Sequence, residues 1–172
     1  RPVGRELRGG DLGRHGAGGA PGLERGDPEN APVDETRIYA IGASGGGHAT
    51  QLLAGRTPEL WAGVSSWCGI ADVAAWHAET TAAGRKNYAA NIEDAIGGAP
   101  DASDTTLAEA SHRSPLTWLA NADGVPLDLN HGITDGRDGS VPFTHSLRAY
   151  NTVVPESERI PGESIAAWYA NP

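Results

Sequence analysis

The chain has one cysteine, one phenylalanine and no methionine in 172 residues. A lone Cys68 excludes an internal disulfide and any cysteine-only metal site, so the fold must be held by packing. Long apolar runs are missing too. None approaches the roughly 20 residues that cross a bilayer, and the N-terminus lacks the basic-then-apolar pattern of a signal peptide. No membrane association is expected, and the cytoplasm is the default compartment. Positive charge is scarce: 13 Lys and Arg stand against 22 Asp and Glu, a net charge of -9. Residues 1–30 carry equal numbers of Arg and acids, so the rest of the chain holds the whole negative charge. An acidic body repels a phosphate backbone, and no nucleic-acid partner is expected.

What the chain has in excess is glycine, 24 residues, together with 12 prolines. Many of these glycines fall in residues 1–30, where the few apolar residues show no period of 2 or 3.6. Such a stretch cannot bury enough apolar surface to offset its conformational entropy. Residues 1–33 are therefore expected to form a disordered Gly/Arg-rich tail. From Asp34 the pattern changes. Arg37 to Gly42 (RIYAIG) is a β-branched and aromatic run that predicts a buried strand. Glycines follow, and His48 to Ala54 has helical propensity that closes on Gly55 as a C-cap. Trp61 to Ile70 and Val125 to Gly132 are two further runs of strand length. Helical segments separate them, which predicts a β-α-β-α-β order, hence an α/β fold with a parallel sheet. Ala71 to Asn121 predicts two or three short helices over the sheet edge. Phe143 to Asn151 predicts a helix with Leu147 and Tyr150 facing inward, and Ile165 to Tyr169 another short helix.

Gly42-Ala43-Ser44-Gly45-Gly46 matches G-x-S-x-G, and it stands directly after a strand and before a helix, as that motif requires. Small flanking residues let a sharp turn hold the serine in a strained conformation that exposes its hydroxyl. The N–H of Gly45, at the helix N-terminus, would face a developing oxyanion. A phosphate-binding turn fits poorly, because no Lys-Ser/Thr pair follows and position 44 is Ser where a dinucleotide fingerprint needs Gly. Cys68 is expected to be a small buried hydrophobe in its strand, since no basic residue adjoins it.

Three blocks, IYAIGASGGGHATQLLAGRTPELWAGVSSWCGI, HRSPLTWL and VPLDLNHGITDGRDGSVPFTHSLRAY, resemble in order the α/β-hydrolase fold and, within it, the prolyl-oligopeptidase-like serine peptidases. The resemblance covers residues 34–151 and implies a partial α/β-hydrolase domain there, with 152–172 as a C-terminal extension. It further implies Ser44 as nucleophile, Gly45 as an oxyanion-hole donor, Asp135 in H-G-x-x-D as the catalytic acid, and no cofactor or metal. The family usually passes from the acid to Val-Pro within a few residues, whereas this chain reads DGRDGSVP, so Asp138 stands as an alternative acid. None of the histidines lies where the family carries its base. His48 and His131 are expected at most to line the site, and the base is expected beyond residue 172. Strands that precede the elbow in the family are likewise not expected here, so the chain reads as a fragment. The functional expectation is a serine hydrolase cleaving peptide or ester bonds through an acyl-enzyme. The alternatives are a carboxylesterase of the same fold and a catalytically inert fragment that associates with itself through open sheet edges.

Overall fold

The computed structural model describes residues 34–171; the expected tail, 1–33, lies outside the described residues. Residues 34–171 form a compact unit. Its centre is a three-stranded parallel sheet of β1 (Tyr39–Ala43), β2 (Gly63–Trp67) and β3 (Leu127–Asn130), in that order. The pairing register aligns Ala43 with Trp67 and Trp67 with Asn130, so the three strands end level with one another. Helix α1 (Gly45–Arg56) leaves β1 within one residue and packs on β1 and β2. This is a partial α/β fold with a parallel sheet and flanking helices.

Among the described residues, only one face of the sheet is covered. Side chains alternate across a strand. Ala40, Val64, Ser66, Leu127 and Leu129 therefore point toward α1 and the core, where Ala54, Ala71, Leu119, Ala122 and Ala149 are buried. The opposite face carries Tyr39 at 62% exposure, Ile41 at 75% and Trp67 at 50%. The expected buried strand at residues 37–42 is thus corrected: β1 is an edge strand, apolar on both faces but covered on one. An open groove of about 520 Å³ runs over this side, at the strands' N-terminal ends.

Between β2 and β3 lie three helices, α2 (Val73–Ala82), α3 (Lys86–Ile96) and α4 (Asp104–Arg113). Their starts and stops follow local chemistry. The Asp72 carboxylate accepts from Ala75 N–H at the start of α2, Ser103 and Thr106 form a reciprocal capping box on α4, and Gly97 ends α3 in the left-handed region. They pack chiefly on one another around Val73, Ile92, Ile96 and Ala110, instead of lying over the sheet edge as expected. That second core forms because α3 places its apolar residues four apart, at 92 and 96, on the stripe that faces α2 and α4.

Helix α5 (Thr144–Val153) is followed by α6 (Gly162–Ala170), which packs against it. The inward face of α5 is His145 and Ala149, not Leu147 and Tyr150, which are half-buried. His145 is fully buried. Its Nδ1 accepts from the N–H groups of Ala71 and Asp72 at 3.1 and 3.3 Å, so Nε2 carries the proton and donates to Glu79 at 2.8 Å. One imidazole thereby ties α5 to the entry of α2. The C-cap expectation at Gly55 is also corrected, since α1 runs to Arg56. Gly55 is needed within the helix instead: a Cβ there would lie 2.5 Å from the Trp118 carbonyl.

Candidate active site

Each strand is followed at once by a residue with chemical potential: Ser44 after β1, Cys68 after β2, His131 after β3. Because the strands end in register, these three stand side by side at the C-terminal edge of the sheet, where open α/β sheets place their ligands. Ser44 N–H donates to Trp67 C=O at 2.8 Å and Cys68 N–H to Asn130 C=O at 2.8 Å, which extends the ladder into the loops. Among the described residues Ser44 (φ 54°) and Cys68 (φ 49°) are the two non-glycine residues with positive φ.

Ser44 has ψ -117°, a conformation that side chains avoid, and it is exposed. It occupies the N-cap position of α1, where a serine hydroxyl ordinarily accepts from the second or third helical N–H. Here the hydroxyl makes no such bond. The turn is tight because Gly42 admits nothing larger: a Cβ would lie 2.3 Å from the Gly46 carbonyl oxygen. Above Gly45 and Gly46 the space is open, and both are exposed. Gly47 and Gly69 let α1 approach the end of β2, and Ser66 joins them by donating to Gly47 C=O at 3.0 Å and accepting from Gln51 Nε2 at 2.8 Å.

Asp135 is half-buried in the loop after β3. Its Oδ2 accepts from Gly132 N–H at 3.2 Å and from the Cys68 thiol at 3.2 Å, and lies 3.9 Å from His131 Nε2. Gly139 lies close beside it: a Cβ there would fall 2.1 Å from Oδ1, so the carboxylate would have to shift. Asp138 is exposed, with its backbone N–H bonded to Thr134 C=O and no side-chain hydrogen bond among the described residues.

His131 is 5% exposed at its side chain. Nε2 lies 2.9 Å from Val141 C=O, which can only accept, so Nε2 donates there and Nδ1 accepts from Ser146 O–H at 2.8 Å. Burial holds its pKa below the usual histidine value, against the opposing pull of the Val141 carbonyl and the Asp135 carboxylate. Both ring nitrogens are occupied, so His131 braces the loop that carries Asp135. His48 lies on α1, one turn past Ser44, and its Nδ1 donates to Ile70 C=O at 2.8 Å. Burial lowers its pKa as well. Among the described residues no histidine is hydrogen-bonded to Ser44.

Cys68 differs from its expectation. It lies just past β2, half-buried, with its thiol turned to Asp135. Burial first, and then the carboxylate, push its pKa up. Spacing along the chain carries no sign of this contact, because Cys68 and Asp135 are 67 residues apart; the register of β2 with β3 creates it.

A strand, a strained turn with an uncapped serine and a helix lie on a parallel sheet with a carboxylate two strands over, the arrangement of a partial α/β fold with flanking helices. The family model described as the prolyl oligopeptidase family matches residues 28–159, and the chain belongs to that family. A search of curated proteins returns no match.

Proposed function

We propose that this chain carries the nucleophile and the acid of a serine hydrolase that cleaves peptide bonds. The observation that carries the reading is Ser44 itself: exposed, held at φ 54° and ψ -117°, with a hydroxyl unused as a helix cap. Strain of this kind costs about 1–3 kcal/mol and persists where the surroundings over-determine it. In the proposed reaction Ser44 Oγ attacks the scissile carbonyl carbon and its proton passes to a base. The Gly45 N–H donates to the oxyanion, and collapse expels the amine and leaves an acyl-serine, which water then hydrolyses. Asp135 is favoured over Asp138 as the acid, because it is half-buried and held by the Gly132 N–H and the Cys68 thiol. Its role is to orient the base and stabilise the base's charged form. On this reading the base comes from outside the described residues, and His48 and His131 shape the site without accepting the proton.

Ester cleavage uses the same machinery and gives the simplest test. An activated aryl ester incubated with the chain and quenched in acid should leave an acyl group on Ser44, found by peptide mass spectrometry. Ser44→Ala should carry none. An acyl group on a different serine in both proteins would refute the assignment.

A further inference from the structure

We infer that Cys68 Sγ, His131 Nε2 and Asp135 Oδ2 form a site for a thiophilic divalent cation of the zinc class. The three donor atoms lie within 4.8 Å of one another. The sulfur and the carboxylate oxygen are 3.2 Å apart, and the carboxylate oxygen and the imidazole nitrogen 3.9 Å. Bonds of about 2.0–2.3 Å in a tetrahedral zinc centre put neighbouring ligands about 3.3–3.8 Å apart, so two of the pairs already stand near ligand spacing and the sulfur and imidazole must draw together by up to about 1 Å. The donor set also selects the metal. One thiolate, one imidazole and one carboxylate suit zinc or cobalt and fail the all-oxygen demand of calcium and magnesium.

Proton accounting supports the same set. The Cys68 thiol already points its hydrogen at Asp135, so a cation entering between them replaces that proton, which leaves to solvent. His131 must free Nε2 from Val141 C=O. It can do so because Ser146 O–H, now donating to Nδ1, can turn and accept from Nδ1–H instead. That is the outer-sphere bond that fixes the tautomer of metal-bound histidines. Other histidine–carboxylate pairs are poorer. His145 has Glu79 alone and His77 has Glu93 alone, with no third ligating side chain beside either pair among the described residues. A bound cation would also engage the acid proposed above, a consequence that rests on that reading; the site itself does not.

Cobalt titration of the full chain tests the site directly. Cys68 is the sole cysteine, so a thiolate-to-cobalt charge-transfer band can arise only from it. The expected result is a saturable band at one equivalent, bleached by zinc, absent in Cys68→Ser and shifted to at least about tenfold weaker binding in Asp135→Asn and Ser146→Ala. Circular dichroism checks that the variants fold, and Cys68→Ser keeps a hydroxyl to donate to Asp135. No band in the unmodified chain, or a band whose affinity is the same in Asp135→Asn, overturns the inference.

Discussion

At the scale of single residues, the site is a set of local conflicts that the surrounding chain enforces. Ser44 is in a backbone conformation suited to glycine, and Gly42 has no room for a methyl group. Two changes follow in opposite directions. Ser44→Gly releases the strain and should raise stability by about 1 kcal/mol, read as a higher urea midpoint. Gly42→Ala drives a Cβ into the Gly46 carbonyl and should lower it by about 2–3 kcal/mol. If Ser44→Gly is destabilising, the turn is not strained. Cys68 offers a second check. Asp135 helps raise the thiol pKa, so Asp135→Asn should lower it and speed iodoacetamide alkylation at neutral pH. An unchanged rate would remove the Cys68–Asp135 contact from the account.

At the scale of elements, strand order and the elbow were readable because their signals are local. A β-branched run, a glycine-rich turn and a helical stretch adjoin one another, and the parallel sheet follows from the helices between the strands. The strand ends were less readable: Trp61 to Ile70 contains the five-residue β2, flanked by loop that is apolar because it is buried. The inward face of α5 differs from the expected one because His145 is a polar residue buried for its hydrogen bonds, which hydrophobic periodicity cannot detect. The loop that carries Asp135 depends on His131 in the same way. Its pKa is depressed by burial, as is that of His48. A histidine held neutral in the folded state binds fewer protons than in the unfolded state. Its contribution is therefore full above the ordinary value of 6.5 and is lost as pH falls below it. Urea unfolding from pH 8 to 5 should show stability dropping below about pH 6.5, with a shallower slope in His131→Asn. An equal slope in both proteins would show that His131 does not contribute.

At the scale of the whole fold, the sheet is helix-covered on one side and, among the described residues, open on the other. Tyr39, Ile41 and Trp67 form an exposed apolar face larger than scattered surface residues would make. We propose that copies of the chain associate through it. Light scattering should find an average mass that rises with concentration, and Ile41→Lys should reduce that rise; a monomer at all concentrations would contradict the proposal. Sequence pattern could not foresee this face. Alternation in β1 is apolar at every position, and which side is covered depends on where α1 folds back. The glycines tell the same story: Gly42 was legible from its motif, while Gly47, Gly69 and Gly139 matter only through contacts made in three dimensions.

If Ser44 is a nucleophile made by its turn, as proposed above, site-resolved labelling with a fluorophosphonate should single it out. With no base at hydrogen-bond distance from Ser44 among the described residues the reaction should be slow, yet an oxyanion donor alone retains part of the rate. Peptide mass spectrometry over time should find Ser44 modified faster than any other serine of the chain, with that modification gone in Gly42→Ala, where the hydroxyl remains but the turn is broken. Equal labelling of Ser44 and the other exposed serines, or labelling of Ser44 that survives Gly42→Ala unchanged, would contradict the account.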